Sequence, residues 1–129
     1  MALIPTLTLT DTTTYSDDIS FSVTDSLTVA SPAQALSLVT VTTTGGNHII
    51  LPSADAKRYL YVKHLGVATL GGGAVTTTLA VETADNTAVM TLAAGEFMFA
   101  PIFDGNATLI QLQASGSTIV AEYAYWTAG

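Results

Sequence analysis

His48 and His64 are the only imidazoles in the chain, and imidazole is the side chain most often recruited for acid–base work near neutral pH. Each sits in a stretch that reads as a strand, and neither has a His, Cys or carboxylate at close ligand spacing. Both are therefore expected to be hydrogen-bonded structural residues. Carboxylates cluster at Asp17-Asp18, with Asp11 and Asp25 nearby. A shared calcium takes about six to eight oxygen ligands, and this spacing fits no calcium loop. A solvated bend before a strand is the expectation there. Asp104-Gly105-Asn106 resembles half of a calcium loop but reads as a turn. Gly71-Gly72-Gly73 lacks the Lys-Ser/Thr that follows a phosphate-cradling loop, and Ser115-Gly116-Ser117 lacks the frame of a nucleophile elbow. Asn106-Ala107-Thr108 matches a glycosylation acceptor by letters, which has meaning only in a secreted chain. The chain has no cysteine, so thiolate chemistry and disulfides are excluded. No catalytic set, metal or cofactor is expected; an enzyme would need scattered residues to converge in space.

Charge and aromatic groups remain. Lys57, Arg58 and Lys63, with His64, form one positive locus on an otherwise acidic protein. They are either a solvated strand end with snorkelling stems or a patch for docking onto an acidic surface. Tyr59 and Tyr61 make one aromatic patch, and Tyr123, Tyr125 and Trp126 make another. Such rings join apolar area to a polar handle, which suits a protein partner or a sugar. The candidate partner-binding residues are Lys57, Arg58, Tyr59, Tyr61, Lys63, Tyr125 and Trp126. Ile119, Ala121, Tyr123 and Tyr125 also form a core-facing row by alternation, with Val120, Ala124 and Trp126 opposite.

The elements that position these groups follow a period of two, the strand signature. Ile19, Phe21, Val23, Leu27 and Val29 share one parity, with Ser and Thr on the other. Asp25 falls in the apolar phase and predicts a bulge or bend. Leu36–Val41 changes phase between Leu38 and Val39, which suggests a second bulge. Gly45-Gly46-Asn47 reads as a tight hairpin turn between Val39–Thr43 and His48–Leu51. Further strands are expected at Arg58–Leu65, Val75–Val81, Ala88–Leu92, Glu96–Phe103, Thr108–Gln113 and Thr118–Trp126. Ser53–Lys57 has room for one helical turn at most. The fold class expected is all-β, an antiparallel, jelly-roll-like sandwich of about nine or ten short strands. Residues 1–18 are expected to be an extended arm or edge strand, and residues 19–129 the sandwich domain.

Composition narrows the function classes. Of 129 residues, 49% are apolar and only 10% are charged, with ten acidic and three basic side chains. Soluble monomers draw about a quarter of their residues from the charged set, so Thr and Ser must cover most outer faces here. Such a surface suits burial against other subunits. The net charge of −7 disfavours direct binding to nucleic acid or to anionic membranes. No apolar run approaches the ~20 residues that span a bilayer. Met1–Pro5 has neither a basic flank nor a long apolar core, so synthesis in a cytoplasm is expected.

One segment carries a resemblance. Thr91-Leu92-Ala93-Ala94-Gly95-Glu96-Phe97-Met98-Phe99-Ala100-Pro101-Ile102 resembles a Gly-Glu-Phe, proline-ended strand of small structural proteins from tailed bacteriophages. In those proteins it follows a Thr/Val-rich hairpin, like Val75–Leu92, and precedes a final hairpin with an aromatic-rich strand, like Ala107–Trp126. Arg58–Gly66 resembles the strand that comes before that hairpin. The likeness covers roughly residues 47–126, and the best match in size is the capsid cement or decoration class. It implies a compact β-sandwich, often trimeric, that sits on the outer capsid and clamps neighbouring major capsid subunits. It implies no catalytic residues and no cofactor. The expected partners are the major capsid protein and further copies of the chain, in a virion assembled from host-cytoplasm synthesis. A phage tail or head-fibre module, or a glycan-binding sandwich using Tyr59, Tyr61 or Trp126, is the alternative.

Overall fold

The computed structural model describes residues 1–11, 20–46, 48–102 and 109–129, with residues 31–35 given by their backbone course. The described residues form eleven strands and no helix. These are β1 (Ala2–Leu3), β2 (Thr6–Thr10), β3 (Ser20–Thr24), β4 (Leu27–Val41), β5 (Ile49–Leu51) and β6 (Arg58–His64). There follow β7 (Leu79–Glu82), β8 (Ala88–Leu92), β9 (Phe97–Ile102), β10 (Ile110–Ala114) and β11 (Ile119–Ala128). All pairings are antiparallel. A five-stranded sheet runs β1-β4-β11-β6-β9, a four-stranded sheet runs β5-β10-β7-β8, and β2 with β3 form a two-stranded sheet. From β4 onward the chain changes sheet at every connection except β7 to β8.

Alternation explains the core. Leu60 and Val62 of β6, Met98 of β9 and Ile119 and Ala121 of β11 point in from the larger sheet. Leu51, Leu79, Val81, Ile110 and Leu112 meet them from the smaller sheet. Both sheets thus share one apolar cluster. Fully burying side chains of this size stabilises the fold by about 1.5–3 kcal/mol apiece.

Several local expectations change. Gly45-Gly46 does not close a hairpin: β4 belongs to the larger sheet and β5 to the smaller, so the turn carries the chain across the core. Val41 and Leu51 are both buried, and the two sheets satisfy them from opposite sides. Asn47 lies outside the described residues. Leu36 and Leu38 point outward while Val39 and Val41 point in, so no bulge separates Leu38 from Val39. The register shifts lie farther along, opposite Tyr123–Ala128. Two apolar faces on one strand imitate a phase change. At Asp25 the chain leaves one sheet for another, with the Asp25 amide donating to the Pro5 carbonyl at 3.2 Å. No helical turn forms at Ser53–Lys57, and the strand expected from Val75 begins at Leu79. Ala2 and Leu3 pair with Thr28 and Leu27 of β4, and Thr6–Thr10 pairs with Ser20–Thr24.

The Gly-Glu-Phe segment is the corner between the sheets. The Glu96 amide donates to the Ala93 carbonyl at 3.0 Å, and Gly95 has φ +86°. This is the pattern of a turn needing a left-handed third residue. The Glu96 carboxylate accepts from the Ala93 amide at 2.7 Å and closes the ring. A Cβ on Gly95 would meet nothing within 4 Å. Gly95→Ala is therefore expected to lower stability by about 1–2 kcal/mol through backbone conformation alone, measured as a lower denaturant midpoint at unchanged slope.

Glu82 sits on the outer side of β7, 6% exposed, opposite Gln111. Its Oε2 is buried without a hydrogen-bond partner. Desolvating a polar group without compensation costs about 1–3 kcal/mol. Glu82→Met should recover part of that, read as a raised unfolding midpoint.

Candidate docking surface

Strands β6, β9 and β11 are neighbours, and their outward residues build one face. β6 contributes Tyr59, Tyr61 and Lys63, the alternates of its core residues. β9 contributes Phe97, Phe99 and Pro101, and β11 contributes Glu122 and Trp126. Register places Tyr61 opposite Phe99, Tyr59 opposite Pro101 and Trp126 opposite Tyr59. β9 is an edge strand, the position in a sheet where a residue lacking an amide hydrogen such as Pro101 is accommodated.

The rings form a continuous group. Tyr59 and Phe99 lie nearly parallel, with centroids 6.3 Å apart and planes 8° apart. Phe99 and Trp126 are tilted by 56° at 6.5 Å. The Lys57 ammonium stands 5.3 Å from the Tyr59 centroid, within cation–π range. Phe97 and Phe99 remain substantially exposed. Phe97 and Phe99 were readable as an alternating pair in Phe97-Met98-Phe99-Ala100, but which parity faced out required the partner sheet.

Of the seven residues expected on a partner surface, Lys57, Tyr61, Lys63 and Trp126 lie together on this face with Tyr59, which is only 7% exposed. Arg58 and Tyr125 do not. Arg58 shares the parity of Leu60 and is only 2% exposed, its guanidinium donating to the Pro52 carbonyl. Tyr125 packs against the core cluster. A basic residue counted as surface charge instead fastens the β5–β6 connection from inside.

Two open grooves flank the rings. One, of about 320 Å³, is lined by Pro5, Asp25, Leu27, Lys57, Tyr59, Phe99 and Pro101. The other, of about 400 Å³, is lined by Pro5, Thr6, Leu7, Met90, Phe97, Met98 and Phe99. Pro5 and Phe99 belong to both, so the grooves meet where the N-terminal segment passes over β9.

The histidines have local partners. His64 is wholly buried: its Nδ1 accepts from the Gly66 amide at 2.9 Å, and its Nε2 lies 2.8 Å from the Thr77 carbonyl. This pairing requires the neutral tautomer with hydrogen on Nε2. His48 Nε2 accepts from the Thr42 amide at 3.1 Å, tying down the loop before β5. Among the described residues no three His, Asp or Glu side chains are grouped to hold a metal. Asp17-Asp18, Asp104-Gly105-Asn106 and the acceptor motif at Asn106 lie outside the described residues. No helix among the described residues is long and apolar enough to cross a membrane.

Compared with family models, with characterised proteins and with solved structures, the chain finds no match.

On the outer face, the Tyr61 hydroxyl donates to Glu122 Oε1 at 2.9 Å. Desolvation, followed by the hydrogen bond to Glu122 and its negative charge, pushes the Tyr61 phenol up to about 12. A raised folded-state value means the native state holds its proton longer than the unfolded chain. The associated stability is full below the ordinary phenol range near pH 10 and falls as pH rises through about 12. Tyr61→Phe should flatten that alkaline decline. It should also remove a tyrosinate signal near pH 12 from the ultraviolet absorbance titration.

Proposed function

We propose that this chain is a non-enzymatic structural protein of a tailed-phage virion. In this reading it decorates the outer capsid and clamps neighbouring major capsid subunits as a homo-oligomer, a trimer in the class it resembles. It takes no cofactor and binds neither nucleic acid nor membrane. The observation that carries the proposal is the outer face of β6, β9 and β11. There Tyr59 is stacked on Phe99, Trp126 is tilted against Phe99 and Lys57 stands over the Tyr59 ring, on a chain of net charge −7. Aromatic groups such as Tyr and Trp are enriched in the energetic hot spots of protein interfaces. Little else on so acidic a chain can meet an acidic partner without repulsion.

The fold supports the same reading. The order β4-β11-β6-β9 over β5-β10-β7-β8, with the chain changing sheet at nearly every connection, fits an eight-stranded jelly-roll sandwich. That architecture recurs in viral shell proteins and in lectins. The lectin branch keeps a second reading open, a glycan-binding or tail- or head-fibre module. It is favoured by the groove that sets Tyr59 and Phe99 beside Asp25 and Lys57, since apolar rings flanked by polar groups fit a sugar ring.

Cosedimentation with tailed-phage heads tests the first reading. Wild-type protein is expected to pellet with heads at saturable stoichiometry, and the double variant Phe99→Ala/Trp126→Ala to bind at least about tenfold more weakly. Unchanged circular dichroism would show that the variant is folded. Wild-type protein left in the supernatant, combined with glycan-array binding that Tyr61→Ala abolishes, would replace the capsid reading with the second one.

A further inference from the structure

The β2–β3 hairpin is a two-stranded sheet in which all ten strand residues are exposed. Its register sets Leu7 opposite Val23 and Leu9 opposite Phe21 on one face. The other face carries hydroxyls: Thr6 Oγ1 and Thr24 Oγ1 are 3.0 Å apart, and Thr8 donates to Ser22 at 3.3 Å. The hydroxyl face is content in water, but the apolar face is not. A two-stranded hairpin alone is marginal in water, and a third strand or a covering layer is needed to hold it. Leu7 also lines the groove containing Met90, Phe97 and Phe99. The uncovered hairpin face and the groove wall are thus one apolar surface.

Two observations point to a second copy as the occupant. The first is area. The four hairpin residues, with Met90, Phe97 and Phe99, are each between 37% and 59% exposed. Side chains of this size at half exposure offer together roughly 600 Å², which a reciprocal contact, hairpin into groove in both directions, would bury on each copy, most of the ~800 Å² that each partner contributes to a standard interface. The second is charge. The ten residues of β2 and β3 include no Asp, Glu, Lys or Arg, on a chain carrying −7. The strand residues themselves thus bring no opposing charge to the contact, with Asp11 and Asp25 standing just beyond their ends.

We infer that the hairpin of one copy seats in the groove of a second, with its Leu9 and Phe21 against Phe97 and Phe99 of that copy. This rests on the homo-oligomer in the proposed function and names the element that makes it. The edges of β2 and β9, each paired on one side only, lie along the same groove and give the contact main-chain bonds as well.

Sedimentation equilibrium of the full chain at micromolar concentration is the test. The expected mass is at least twice the 13.3 kDa of one chain. Leu9→Asp/Phe21→Asp on the hairpin, and separately Phe97→Asp in the groove, should each reduce it to one chain. Thr8→Asp on the hydroxyl face should leave it unchanged. Because the chain has no cysteine, a mixture of Phe21→Cys and Phe97→Cys copies should form a mixed disulfide under mild oxidation, even where the aspartate variants disturb the hairpin. A wild-type chain sedimenting as a monomer, or the absence of the mixed disulfide, overturns the inference. A monomer that still bound phage heads would sink the inference and keep the decoration reading, whereas an oligomer indifferent to heads would do the reverse.

Discussion

An extended strand turns successive side chains to opposite faces, and nearly every feature of this protein follows from that rule meeting a shared core. Once Leu60 and Val62 are drawn against Leu112 and Val81, Tyr59, Tyr61 and Lys63 have no choice but to face out. The same holds on β9, where burial of Met98 presents Phe97 and Phe99, and on β11, where burial of Ala121 and Tyr123 presents Glu122 and Trp126. A one-residue slip in any of these strands would invert the whole arrangement. The aromatic face is thus maintained by the core behind it.

The same rule disposes of several groups that look chemical in isolation. Arg58 lies one residue from Tyr59, so it is carried inward and holds Pro52. His64 lies two residues beyond Val62, so it too is inward, held between Gly66 and Thr77 where the chain leaves the sheet. Each is a polar side chain at a buried strand end, hydrogen-bonded to backbone that the sheets leave unpaired. Their chemistry closes connections between sheets.

Low charge and open edges have a joint consequence. Thr and Ser can solvate a strand face, but they do not protect an edge from pairing with another chain as Lys or a covering loop does. β9 is paired on one side, carries Pro101 one residue before its end and shares its groove with the N-terminal segment, so that edge is partly blunted and partly bordered by an apolar groove. The proposed capsid role and the inferred hairpin contact both draw on this low charge, and they meet at Phe99, which belongs to the aromatic face and to the groove alike.

Much was determined locally. The period of two, the Gly- and Asn-marked turns, the hairpin of β7 and β8, and the inward row of Ile119, Ala121, Tyr123 and Tyr125 are properties of neighbouring residues, so the chain's letters display them. Tertiary structure alone decided which sheet each strand joined. Gly45-Gly46 has the chemistry of a hairpin turn in either case, and only the distant partners β10 and β11 make it a crossing between sheets. Likewise Leu36-Ser37-Leu38-Val39-Thr40-Val41 reads equally as a slipped strand or as one apolar on both sides, and pairing with β11 settles it. The docking face was half legible: its tyrosines and Trp126 stand out by type, but their union with Phe97 and Phe99 depends on β6 lying between β9 and β11. Alternation is written along the chain, whereas adjacency arises from contacts between residues far apart in it.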